Sequence, residues 1–211
     1  MSDKIKTVLF LGDSVTAAER KYGTDDLGEG YAAKIDAYLK TFYPQDCFKV
    51  INKGFDGHRA QNLLLRLQAD CIDLKPDILT ILIGVNDCWK AVSEGMVQET
   101  AITENFTACC REILTRVKNA LPDCKIILME PFIIPAEQYK EDWRIGLYSK
   151  IEALRALSRE FKTVYIPLDG IFAEYCAQND AAMYSIDSVH PIDGGHSLIA
   201  EQWIKRALHD L

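Results

Sequence analysis

Near the N-terminus, Gly12-Asp13-Ser14-Val15-Thr16 follows an apolar run and puts a serine hydroxyl just past a residue that lets the backbone turn sharply. A serine so placed can be a nucleophile while its own N–H donates to a developing oxyanion. The same residue types cap helices, and on this stretch alone a cap by Asp13, Ser14 or Thr16 is the stronger reading. A phosphoryl-transfer aspartate would be expected to have a second Asp two residues on, where Val15 stands. Further along, Asn52-Lys53-Gly54-Phe55-Asp56-Gly57-His58 sets two glycines three apart. Such a loop exposes backbone N–H groups to an anion, or is an ordinary left-handed turn. Gly84-Val85-Asn86-Asp87 can aim the Asn86 amide at the same place as a further oxyanion donor, although Asn-Asp is commonly a plain turn.

Late in the chain, Asp187-Ser188-Val189-His190-Pro191 places a carboxylate three residues before an imidazole. The carboxylate can hold one ring N–H and leave the other nitrogen to take a serine's proton. Asp193-Gly194-Gly195-His196 repeats the spacing; here Asp193 reads as the N-cap of the last helix and His196 as a packed or capping residue. Asp13 reads as an organiser of its loop at the cleft wall, and His58 as a further residue that lines the cleft. Trp89 is a wall for a sugar ring or short acyl group, or else a core tryptophan. Tyr139 and Trp143 lie in the stretch 131–148, which reads as an insert over the site, either a lid or a subunit contact. His209 reads as solvated.

The elements that must position these residues follow from the apolar runs. Thr7–Leu11, Phe48–Ile51, Ile78–Ile83, Lys125–Met129 and Thr163–Ile166 are nearly all apolar, as expected of parallel strands covered on both faces. Amphipathic segments alternate with them, at about Gly30–Phe42, Arg59–Cys71, Ile102–Val117, Asp142–Phe161 and Gly194–Leu208. This pattern predicts a three-layer α/β/α sandwich around a five-stranded parallel sheet, with residues 1–211 as one domain. Three of the four chemical stretches then fall at the carboxyl ends of consecutive strands, where such folds build their sites.

Composition narrows the function. With 24 Lys and Arg against 31 Asp and Glu the formal charge is −7, and no basic cluster is present. This argues against nucleic acid and against a polybasic membrane contact. No apolar stretch approaches the roughly 18 residues of a membrane span, and no leader-like segment precedes the first strand. Seven scattered cysteines, from Cys47 to Cys176, without a Cys-x-x-Cys pair predict reduced thiols and a cytoplasmic protein. Four histidines without metal-ligand spacing predict no metal site, and no cofactor is called for.

Taken together, Gly12-Asp13-Ser14-Val15, Asn52-x-Gly54-x-x-Gly57, Gly84-x-Asn86-Asp87 and Asp187-x-x-His190-Pro191 resemble the four ordered blocks of the SGNH (GDSL) hydrolase family, over essentially the whole chain. Val15 departs from the leucine in the family's name and is expected to alter the packing behind the serine. The resemblance implies a flavodoxin-like hydrolase fold with Ser14 as nucleophile, His190 as base and then acid, and Asp187 as its orienter. It also implies an oxyanion hole made of the Ser14 N–H, the Gly57 N–H and the Asn86 amide. The stretches Lys75–Trp89 and Ile127–Ile133 look like the intracellular carbohydrate acetylesterases of this family, including acetylxylan esterases. That implies a small acyl ester as substrate, and possible homo-oligomers. The alternatives are a lysophospholipase or thioesterase on longer chains, and a non-catalytic protein that binds acetylated sugars.

Overall fold

The computed structural model describes residues 5–44, 48–96, 98–136 and 141–208. Tyr139, His209 and Cys47 lie outside them. The five apolar runs form strands β1 (Lys6–Gly12), β2 (Phe48–Gly54), β3 (Ile78–Leu82), β4 (Lys125–Met129) and β5 (Val164–Ile166). They pair in parallel in the order β2-β1-β3-β4-β5.

The sheet is buried on both faces because its strands alternate between two cores. On β1, Val8 and Phe10 pack with Tyr31, Ile35, Leu198 and Trp203, while Leu9 and Leu11 face Leu63, Leu67, Phe106 and Leu114. All four β1 side chains are fully buried. Removing one as large as Phe10 would cost about 3–5 kcal/mol. The first core lies under helices α2 (Tyr31–Phe42) and α8 (Asp193–Ala207). The second lies under α3 (Ala60–Leu67), α5 (Glu99–Ala120) and α6 (Glu141–Phe161). The buried Trp203 indole N–H is satisfied by the Thr80 hydroxyl at 2.8 Å.

Three helices carry no expected counterpart: α1 (Ser14–Ala17), α4 (Val85–Ser93) and α7 (Leu168–Cys176). Each is too short for the 3.6-residue apolar period to show in the sequence. The helix expected over Arg59–Cys71 divides instead into α3 and a π-helical turn, Gln68–Ile72. Asp193 is the first residue of α8 rather than its cap; Ile192 precedes it, and the Asp193 carboxylate pairs with Lys34 at 2.6 Å.

The expected insert over the site is not one where it is described. Phe132, Ile133, Ile134 and Ala136 are buried, and the Ile134 N–H donates to the Ser188 carbonyl at 2.9 Å. Trp143 packs in a small cluster with Cys88, Ile133, Leu147 and Ile151. The described cysteines are unpaired, all buried but Cys176. Among the described residues no helix is long and apolar enough to cross a membrane.

Candidate active site

β1 lies between β2 and β3, so the loops leaving these three strands open side by side, where the connections diverge to either side of β1. The first loop settles the competition between cap and nucleophile by dividing the roles. Asp13 caps α1, its carboxylate accepting the Val15 N–H at 3.0 Å and its carbonyl the Thr16 and Ala17 N–H groups. Ser14 is the first residue of the helix, and its hydroxyl stands 2.9 Å from His190 Nε2.

His190 is held from behind. Its Nδ1 lies 2.6 Å from Asp187 Oδ2, while Asp187 Oδ1 accepts the backbone N–H groups of Val189 at 2.9 Å and His190 at 2.7 Å. The chain wraps the carboxylate so tightly that Ser188 takes a left-handed backbone, φ +74°. The loop is anchored by the Ser185 hydroxyl, which donates to the His190 carbonyl at 2.8 Å, and by pairing of Ser185 with Pro191. Partial burial pushes the Asp187 carboxyl up, but the bonds from His190 and Val189 outweigh it and hold the pKa below the ordinary carboxylate value. Hydroxyl, imidazole and carboxylate thus form a path along which a proton can leave Ser14.

Two further candidate donors line the serine's cavity. Asn86, in the first turn of α4, gives one amide hydrogen to the His58 carbonyl at 3.1 Å and lines the same cavity as Ser14 and His190. Gly57, at φ +71°, lines it too. Gly54 does not, because its N–H is taken by the Asn52 side chain at 2.8 Å. The cavity measures about 720 Å³, within the usual range for small-molecule sites.

Three residues expected at the cleft wall are elsewhere. Asp13 is buried beneath it, and burial pushes its carboxyl up to about 7. Its neighbour across the site, Asp87, is likewise pushed up by burial, to about 6, against a bond from the Ala60 N–H. The His58 ring stacks on Phe55 at 5.3 Å and accepts from Arg66, so only its backbone approaches the site. Trp89 is 52% exposed on α4, neither core nor among the residues that line the cavity. Behind the serine, Val15 borders a void of about 10 Å³ with Asp13, Leu82, Val85 and Phe132.

The cavity is also lined by residues that the sequence reading did not place there, among them His196, Ile192 and the acidic Glu19, Glu29, Asp56 and Asp193. Only His196 carried a signal, its spacing from Asp193. Among the described residues no group of three or more His, Cys, Asp or Glu is placed to hold a metal ion.

A family model described as the GDSL-like lipase/acylhydrolase family matches residues 10–198. The chain belongs to this family. This GDSL-like acylhydrolase is a carboxylic ester hydrolase, and its five-stranded parallel sheet matches solved structures over nearly its full length. An acetylxylan esterase of Geobacillus stearothermophilus is 28% identical over 206 residues, 94% of this chain and 92% of that protein. Its crystal structure aligns with a TM-score of 0.84 at 27% identity, covering 97% of this chain and 95% of the other. Catalytic mutants of that enzyme, changed at a serine, an aspartate and a histidine three residues beyond the aspartate, align equally well. A GDSL-like lipase from Parabacteroides merdae aligns with a TM-score of 0.88 at 29% identity, covering 97% of this chain and 98% of that one.

Proposed function

We propose that this acylhydrolase removes short acyl groups, acetyl above all, from the hydroxyls of a small neutral carbohydrate. The observation that carries the reading is the unbroken path from the Ser14 hydroxyl through His190 to Asp187, opening on a cavity whose lining, among the described residues, includes the acidic Glu19, Glu29, Asp56 and Asp193 and no Lys or Arg. Carboxylates accept bonds from sugar hydroxyls and repel phosphate or carboxylate headgroups, which disfavours lysophospholipids and coenzyme thioesters. The acetylxylan esterase relative supports the same substrate class.

In this mechanism Ser14 Oγ bonds to the ester carbonyl carbon as its proton passes to His190 Nε2. The tetrahedral oxyanion is held by the N–H groups of Ser14 and Gly57 and by the Asn86 amide. The C–O bond to the alcohol breaks, and the alcohol leaves with the proton from His190. Water then attacks the acyl-serine by the same route, releasing the acid and restoring Ser14. Asp187 stays ionised and stabilises the imidazolium that forms at each step. The acidic charge and the unpaired thiols fit a reducing, cytoplasmic setting.

The test compares initial rates on p-nitrophenyl acetate and octanoate for wild type and Ser14→Ala, followed by acetylated xylo-oligosaccharides. A strong preference for acetate, an inactive Ser14→Ala and deacetylation of the oligosaccharides are expected. A preference for octanoate overturns the acetyl reading, and an active Ser14→Ala overturns the nucleophile.

A further inference from the structure

One imidazole in the cavity has no part in the steps above. His196 stands on α8, six residues beyond His190, and is only 7% exposed. Its Nδ1 accepts the Tyr31 backbone N–H at 3.3 Å, which fixes the ring proton on Nε2. Nε2 has no partner among the described residues, and the residue lines the cavity that holds Ser14. The ring packs against the bare backbone of Gly30, where a Cβ would meet its Cε1 at 2.9 Å, with the Tyr31 ring 6.2 Å off on a tilted plane. Burial, reinforced by Lys34, holds its pKa well down, at about 4, so the ring is neutral where a histidine base works and does not compete with His190. What remains is an uncharged N–H on a residue that lines the serine's cavity.

Acceptors share the cavity with this donor. Glu19 is carried by two consecutive non-glycine residues in the left-handed region, Ala18 at φ +43° and Glu19 at φ +63°. That costly backbone is locked by bonds from the Ala18 N–H to the Ser14 carbonyl, 2.9 Å, and from the Glu29 N–H to the Ala18 carbonyl, 2.8 Å. The same two bonds tie Glu19 and Glu29 to the helix that bears the serine. One neutral donor with several acceptors suits a molecule that both gives and takes hydrogen bonds through uncharged groups.

We propose that His196 is a positioning residue that donates its Nε2–H to a hydroxyl or ring oxygen of the leaving alcohol, with Glu19 and Glu29 accepting from that alcohol's other hydroxyls. The site is thereby specific for esters of neutral polyols. This inference rests on the esterase reading above and assigns the residue that recognises the alcohol.

The experiment measures kcat and KM of wild type, His196→Leu and His196→Gln on a monoacetylated methyl β-xyloside and on p-nitrophenyl acetate, whose alcohol carries no further hydroxyl. In His196→Leu the ratio of kcat/KM for the xyloside ester over the nitrophenyl ester is expected to fall about tenfold, the worth of one hydrogen bond left unmade. The fall should lie mainly in KM, and Gln, which keeps an N–H donor, should restore part of it. An unchanged ratio, or an equal loss on both esters, overturns the assignment. A wild type that cleaves the nitrophenyl ester but no sugar ester overturns the carbohydrate reading itself, and His196 falls with it. Leucine orphans the Tyr31 N–H, so a second readout uses the intact protein: the ¹⁵N-histidine spectrum titrated with methyl β-xyloside. The His196 Nε2–H resonance is expected to shift, and one that stays in place at saturation overturns the proposal.

Discussion

Asn52 Oδ1 accepts the Gly54 N–H at 2.8 Å, while the Nδ2 of the same side chain donates to the carbonyls of Thr16 and Leu27. One amide therefore ties the end of β2 to the segment after α1, and it takes from Gly54 the N–H that an oxyanion would need. The two glycines of this block then do different jobs. A Cβ on Gly54 would stand 2.2 Å from the Ala17 nitrogen, against the helix that carries Ser14, whereas one on Gly57 meets nothing within 4 Å and suffers only from φ +71°. Gly54→Ala is expected to lose more than about 2 kcal/mol of stability and much of the activity, because backbone must move. Gly57→Ala is expected to lose about 1–2 kcal/mol, the cost of a left-handed residue. Urea unfolding of both variants decides it; equal losses would mean that the close approach at Gly54 is not there.

Asn86 supplies the cleanest probe of the oxyanion hole, since among the described residues its side chain makes a single bond, to the His58 carbonyl. Asn86→Ala is expected to lower kcat on p-nitrophenyl acetate by about 10²–10³ with little change in KM. A turnover equal to wild type would take Asn86 out of the hole.

Asp187 has two separable functions, shaping the loop through Oδ1 and holding the imidazole through Oδ2. Asparagine can keep the first and not the second, because its N–H₂ would face Nδ1 and favour the wrong tautomer. Asp187→Asn is therefore expected to lose about 10⁴ in kcat while its melting temperature shifts by only a few degrees. A variant that unfolds at room temperature would show instead that the carboxylate's main task is the loop.

The sheet was legible because β1, β3 and β4 are apolar on both faces, and only a parallel sheet between helices has a use for that. The site residues were legible where chemistry restricts the residue type at a strand's end: Ser14, Gly57, Asn86, and Asp187 with His190. The walls of the cavity were not. His196 is defined by Gly30 and Tyr31, far away in sequence, and Glu19 is placed by two left-handed residues that carry no glycine to announce them. Trp89 and His58 were misplaced for a related reason. Adjacency along the chain put them near Asn86 and Gly57, but helix α4 carries Trp89 outward and the Phe55 ring holds the His58 side chain aside.

Asp13 ties the site to stability. Burial holds its carboxyl at about 7, against 3.8 for a free aspartate, with the Val15 N–H and His190 pulling the other way. Between these values the folded chain keeps a proton that the unfolded chain has released, so stability falls as pH rises through this window and the loss is complete above about pH 7. His196 has the opposite sign: held at about 4, it contributes stability that is full above the ordinary imidazole value of 6.5 and fades as pH drops toward 4. Asp13→Asn keeps an acceptor for the Val15 N–H and removes only the first effect, so the contribution of His196 cancels between the two proteins. Relative to wild type the variant is expected to gain stability from pH 5 to pH 8, on the order of a few kcal/mol, and to gain no more above that. Urea unfolding at pH 5, 6, 7 and 8 measures the difference. A constant offset across the series would show that Asp13 is ionised throughout, with its buried charge compensated by the loop.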